Sequence, residues 1–213
     1  MAVDKRVAAW AWYARRWIVQ RPFVVEWRER RYRDFVALCG LADGQRIVDV
    51  GSGGTGVSGT LGRFNASNPI VALDLVVRDG ADKPNVKFIQ GDATLMPFGD
   101  AEFDIAFCNS LIEHLPQAQQ HKLVNEIQRV ASGYWVQTPN RFFPIEPHMI
   151  IPLYQFLPRR IRRFIDSHYA GGYTELLSRQ DLEVLFPRAQ IYEERVGPLI
   201  KSFAAYQRPN STG

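Results

Sequence analysis

Three aspartates and a run of glycines are the residues of this 213-residue chain whose types and spacing could do chemistry. The stretch "IVDVGSGGTGVSGTL" (47–61) is an apolar run that reaches Asp49 and then enters a glycine-rich turn through Gly51, Ser52, Gly53 and Gly56. Such a turn lets the polar groups of a nucleotide approach the backbone. A phosphate-cradling P-loop would need Gly-Lys-Ser/Thr after the turn. Here the turn continues "GTGVSG" without a lysine, which argues against ATP or GTP. Gly51, Gly53 and Gly56 do satisfy the G-x-G-x-x-G spacing of dinucleotide sites. Asp74, closing "IVALD", is placed to accept both hydroxyls of a ribose. These features suit NAD as well as any other adenosine ligand, so they leave the nucleotide open. Asp92, closing "VKFIQGD", adds an acceptor for an exocyclic amine, and the N–H of Ala93 a donor for a ring nitrogen.

The elements that must position these residues are legible from periodicity. Residues 5–20 and 23–39 read as helices, the second with Val25, Tyr32, Phe35, Val36 and Cys39 on one face. Short β-rich runs follow at 46–50, 70–75, 86–92, 103–110 and 133–140, separated by loops and helices such as 118–131, where Leu123, Ile127 and Val130 fall at helical spacing. "DLEVLF" reads as a short helix, and "AQIYEERVG" and "SFAAYQR" as strands joined by "PLIK". Alternating strands and helices predict an α/β fold: a Rossmann-like, seven-stranded, mostly parallel sheet with helices on both faces and an antiparallel C-terminal hairpin. The division expected is an N-terminal helical segment over 1–44 and a catalytic-type domain over 45–213. Residues 141–172 break the alternation, with prolines at 144, 147, 152 and 158, and read as an inserted lid over the carboxyl ends of the strands. Two cysteines, Cys39 and Cys108, give neither a disulfide framework nor a metal-ligand spacing, which points to a reducing, cytoplasmic setting. The N-terminal stretch lacks the clean apolar core of a signal peptide, since Arg15 and Arg16 interrupt it.

The whole series (the acid before the glycine turn, Asp74, Asp92 followed by Pro97-Phe98, then "FDIAFCNSLIEHL") resembles the class I S-adenosylmethionine-dependent methyltransferases, in particular the small-molecule group called type 11. The resemblance covers roughly residues 45–140 and the terminal hairpin. It implies S-adenosyl-L-methionine as cofactor and S-adenosyl-L-homocysteine as product. Asp49 would attract the ammonium, the turn amides the carboxylate, Asp74 the ribose and Asp92 the adenine amine. Ser52, Leu75 and Asn109 join the same pocket. The sequence departs from the family at one place. The commonest turn is acid-x-Gly-x-Gly-x-Gly, and its last position is here Thr55, flanked by Gly54 and Gly56.

An oxygen acceptor needs a general base, and the candidates are His148 and His114, with Glu146 beside the first. In similar quinone-pathway enzymes an "EHL"-like stretch lies by the active site, sometimes with a metal; this chain has no further carboxylate next to His114, and no metal is expected. Glu113, Arg141, Phe143, Tyr154 and Phe156 are the expected substrate-binding residues. The lid "MIIPLYQFLPRRIRRF" and the Trp10, Tyr13, Trp17 face of the first helix are apolar with basic rims, which suits a small or lipid-like acceptor and peripheral membrane contact through 8–17 and 150–165. Residues 1–46 carry ten Lys/Arg against five Asp/Glu, and the whole chain has a net charge of +4. The Asn/Asp-Pro-Pro-Tyr/Phe signature of base-methylating enzymes is absent after the fourth strand, which argues against N-methylation of a base, though not against every RNA target, and makes a nucleic-acid substrate the weakest of the readings. Two other readings stand beside this one: an NAD(P)-linked oxidoreductase, disfavoured because no Tyr-x-x-x-Lys pair is present, and a non-catalytic binding or partner protein of the same fold.

Overall fold

The computed structural model describes residues 22–53, 67–76, 84–144, 156–158, 160, 161 and 174–209. Helix α1 (Pro22–Cys39) ends where Gly40 takes φ +66° and the Leu41 N–H reaches back 3.0 Å to the Val36 carbonyl. That six-to-one bond with glycine in the left-handed region is a Schellman stop. Strands β1 (Ile47–Val50), β2 (Ile70–Asp74), β3 (Val86–Gln90) and β4 (Phe103–Asn109) follow. A 3-10 turn (Ile112–His114), helix α2 (Gln117–Val130) and β5 (Ala131–Pro139) come next. Helix α3 (Arg179–Leu185), β6 (Gln190–Val196) and β7 (Leu199–Gln207) complete the described elements.

The seven strands form one sheet in the order β3-β2-β1-β4-β5-β7-β6. Pairings are parallel from β3 through β5 and antiparallel for β5/β7 and β7/β6. The strands on both sides of the β1/β4 boundary run outward in sequence, so that boundary is the topological switch point. In open α/β sheets the crevice beyond the carboxyl ends of such strands takes the ligand. Both faces of the sheet are covered. On one, Phe35 and Cys39 of α1 pack with Ile47, Ile105, Phe107 and Trp135. On the other, Leu123, Val124, Ile127 and Val130 of α2 and Leu182 and Leu185 of α3 pack with Val48, Val50, Cys108 and Val136. The Phe35 ring is fully buried and meets Phe107 and Trp135 edge-on, with centroids 5.0 and 5.9 Å away. Helix α1 is therefore part of the core that holds the sheet.

Strand boundaries match the periodicity reading within one or two residues, with one informative difference. The sequence assigns "PLIK" to the connection of the last hairpin. In the structure Leu199, Ile200 and Lys201 already belong to β7, and Val196 pairs with Leu199 across a two-residue turn. Gly197 supplies φ +56° at its first central position, which lets the turn close without a longer loop. Helix α3 begins with a capping box: the Ser178 hydroxyl accepts from the Asp181 N–H, and the Asp181 carboxylate accepts from the Ser178 N–H. The first predicted helix (5–20) and most of the lid (141–172) lie outside the described residues.

Candidate functional site

The three aspartates sit at or just beyond the carboxyl ends of three neighbouring strands. Asp49 lies one residue from the end of β1, Asp74 is the last residue of β2, and Asp92 lies two residues past β3. The turn after β1 is drawn against β2: the Gly51 and Ser52 N–H groups donate to the Leu73 carbonyl at 2.8 and 3.3 Å. Gly51 and Gly53 take φ of +74° and +85°. A side chain at Gly51 would also collide with Leu111, 2.9 Å from where its Cβ would be. Asp74 fixes the turn further, since Oδ2 accepts from Gly53 N–H at 2.8 Å and Oδ1 from Val76 N–H at 3.2 Å. Each oxygen keeps a second lone pair for a hydroxyl. At Asp92 both bonds from Thr94, from the amide and the hydroxyl at 2.8 Å each, fall on Oδ1, and Oδ2 has no partner among the described residues.

Asp49 is 5% exposed and makes no hydrogen bond or ion pair through its carboxylate among the described residues. Burial, together with the nearby Asp74 charge, pushes its carboxyl up to about 7. A buried acid in this state lacks a cationic or donor partner. The Ser52 hydroxyl is likewise buried without a hydrogen-bond partner. Orphaned polar atoms of this kind fit a ligand that carries a cation and hydrogen-bonding groups, as a nucleoside with an amino-acid arm does. Leu75, Val76 and Leu95 are 64, 65 and 78% exposed around Asp74 and Asp92, an apolar rim suited to a flat ring. Ala93 is half-buried beside Asp92.

Beyond β4 the chain turns sharply. Ser110 holds φ +55°, a costly conformation for a residue with a side chain. Its N–H donates to the Gln137 carbonyl and its hydroxyl to Gln137 Oε1, both at 3.0 Å. Asn109 accepts on Oδ1 from Arg31 Nη1 of α1 at 2.9 Å. The same guanidinium grips Glu194 of β6 at 2.7 and 3.2 Å, and Glu194 also accepts from Lys201 and Ser202. Burial alone would raise the Glu194 carboxyl; Arg31, Lys201 and Ser202 outweigh it and hold it at about 2. Burial and the Arg31 charge together press the Lys201 ammonium down to about 8. Sequence reasoning missed Arg31 and Ser110. Nothing local marks Arg31, which meets Asn109 from 78 positions away, whereas Ser110 immediately follows a strand that aims at the crevice.

Of the residues expected at the acceptor, Glu113 is fully buried, with Thr138 Oγ1 donating to its Oε2 at 3.2 Å and its own carbonyl accepting from Glu175 N–H at 2.6 Å. It ties the 3-10 turn to β5 and the 174–177 segment. His114 is half-buried in that turn. Arg141 is exposed and lines a separate pocket of about 160 Å³ with Gln117, His121, Glu175 and Asp181, on the α2/α3 face of the sheet. Phe143 is half-buried and Phe156 exposed. Gly56, Thr55, Glu146, His148 and Tyr154 lie outside the described residues, as do residues 8–17.

Residues 48–133 match the family model described as a methyltransferase domain. Over 80 residues the chain is 40% identical to the demethylmenaquinone methyltransferase of Renibacterium salmoninarum, a match covering 35% of this chain and 33% of that protein. The chain thus spans about a third of that relative's length. Among solved structures, a SAM-dependent methyltransferase from Aquifex aeolicus is similar with TM-score 0.55 at 17% identity, covering 88% of this chain and 93% of that one. The 1,6-didemethyltoxoflavin-N1-methyltransferase of Burkholderia thailandensis, solved with its substrate and S-adenosylhomocysteine, is similar with TM-score 0.56 at 14% identity, covering 87% of this chain and 79% of that one. At these identities the structural likeness is one of fold.

Proposed function

We propose, from the premise that residues 48–133 are a class I S-adenosylmethionine-dependent methyltransferase domain of the type 11 family, that this chain methylates a small or lipid-like acceptor. The observation that carries the reading is the row of acids over β3, β2 and β1, with Asp49 buried and unpartnered among the described residues at its β1 end. Asp74 would take the ribose diol on the lone pairs its two backbone bonds leave free. Asp92 Oδ2 would take the adenine amine, and Asp49 the ammonium, directly or through water. The bound cofactor supplies an electrophilic methyl group on a positively charged sulfur. The protein's share of catalysis is then chiefly to hold acceptor and methyl group in line and to exclude water. For a hydroxyl acceptor, a base must take the proton as the oxygen–carbon bond forms. His148 with Glu146, and His114 at the end of the 3-10 turn, are the side chains proposed for that task. Support for a small acceptor comes from the relative, a demethylmenaquinone methyltransferase, and it agrees with the small acceptor of the toxoflavin methyltransferase that shares the fold. Support for a lipid-like one comes from the lid, whose described residues Phe156 and Ile161 are 60 and 46% exposed beside the basic run at 158–163.

Calorimetric titration with S-adenosylhomocysteine tests the cofactor assignment. Micromolar binding that weakens at least tenfold in Asp74→Ala, with no binding of NAD(H), is expected; absence of binding to the wild type overturns it. Peripheral contact is tested by sedimentation with phosphatidylglycerol-containing vesicles. Binding at low salt that is lost by about 0.5 M salt is expected from charge screening. A protein left wholly in the supernatant at low salt would remove the membrane reading.

A further inference from the structure

The strand order sets out a direction across the crevice. With Asp92 beyond β3, Asp74 on β2 and Asp49 on β1, a ligand laid adenine-first over β3 brings its amino-acid arm to β1 and β4. Val50 pairs with Cys108, so Asn109 stands level with Gly51 at the head of the turn. Asn109 and Asp49 also share a sheet face, because side chains two apart in a strand point the same way and Phe107 lies opposite Asp49. That face is the one α1 covers.

A carboxamide has an accepting and a donating end, and ordinary structures leave the two ends ambiguous. Arg31 removes the ambiguity. A guanidinium has donors only, so the end of Asn109 that it meets at 2.9 Å must be Oδ1. Nδ2, with two N–H groups, is the end left for another partner. The guanidinium is itself immobilised, since its other nitrogens grip the buried Glu194, which Lys201 and Ser202 hold in turn. Lys201 rests over the Trp27 ring of α1 at 4.8 Å. The network therefore joins α1, the β6/β7 hairpin and the end of β4.

We infer that Arg31 is a positioning residue of the methyl-donor site: it orients Asn109 so that Nδ2 donates to the carboxylate of the cofactor's amino-acid arm, opposite the ammonium that Asp49 receives. This rests on the cofactor reading above and adds to it a determinant contributed by α1. Arginine is required because one planar fork must serve two partners; lysine would keep a cation against Glu194 and lose the second arm.

The test is calorimetric titration of the full chain with S-adenosylhomocysteine, with thermal melting and near-ultraviolet circular dichroism alongside. Arg31→Lys is expected to raise Kd about tenfold, the loss of one charge-assisted hydrogen bond. Asn109→Asp keeps the Arg31 contact and loses the donor, so its Tm should hold or rise while Kd rises at least tenfold. The double variant should bind no worse than Asn109→Asp alone. If Arg31→Lys does not fold, Arg31→Gln with Glu194→Gln, which removes both charges together, carries the same expectation. Wild-type-like affinity in both single variants overturns the inference, as does an Arg31→Lys loss that is undiminished in the Asn109→Asp background. A wild type that fails to bind S-adenosylhomocysteine overturns the cofactor reading itself, and the inference with it.

Discussion

Asp49 links the site to the stability of the protein. Its folded-state carboxyl stands at about 7 against an ordinary value of 3.8. A group whose proton is held more tightly in the folded state stabilises it fully below the unfolded value, and that contribution is lost as pH rises through the folded value. Wild type should therefore lose stability relative to Asp49→Asn between about pH 4 and pH 7. Guanidinium unfolding of both proteins at pH 4.5 and 7.5 measures it, and a constant gap between them would refute the assignment. Asp49, Asp74 and Asp92 are legible in the sequence because each closes an apolar run and takes its position from the strand. Arg31 is not, since its role depends on where a helix lies across the sheet. Glu113 shows the same limit: its place after β4 suggests a site residue, and only the fold reveals that its carboxylate faces Thr138.

At the scale of elements, Phe35 and Arg31 are two of the side chains that hold α1 to the sheet. Phe35→Ala removes a fully buried side chain wedged against Phe107 and Trp135, and should cost about 3–5 kcal/mol in denaturant unfolding. Because the same helix carries Arg31, loosening it should weaken ligand binding before global unfolding, read as a rise in Kd at temperatures where the far-ultraviolet spectrum is unchanged. Ser178→Ala breaks the capping box of α3 and should cost about 1 kcal/mol by urea unfolding. Helix α3 stands away from the aspartates, so Kd should not move. The parallel strands were readable from β-branched runs, and α2 from Leu123, Ile127 and Val130, all buried in the structure. The antiparallel hairpin at the end is legible as well, but the length of its connection is not, because a proline next to glycine reads as a loop. Gly197 instead makes the turn tight enough for Leu199 to pair at once.

Over the whole molecule, a sequence pI of about 9.2 sets a mild preference for anionic surroundings. No described helix is long and apolar enough to cross a membrane. The order β5-β7-β6 places β7, the last of the described strands, inside the sheet between two strands that precede it in sequence. Until residues 199–207 are made, β5 is therefore a bare edge whose residues are nearly all buried in the finished sheet, and β6 lacks its partner strand. The three aspartates all precede β7 in the chain, and a ladder left open without it is the kind of edge that pairs with strands of other chains. Deleting or unpairing residues 199–207 would therefore expose two strand edges at once, that of β5 and that of β6, and is expected to drive the protein into aggregates.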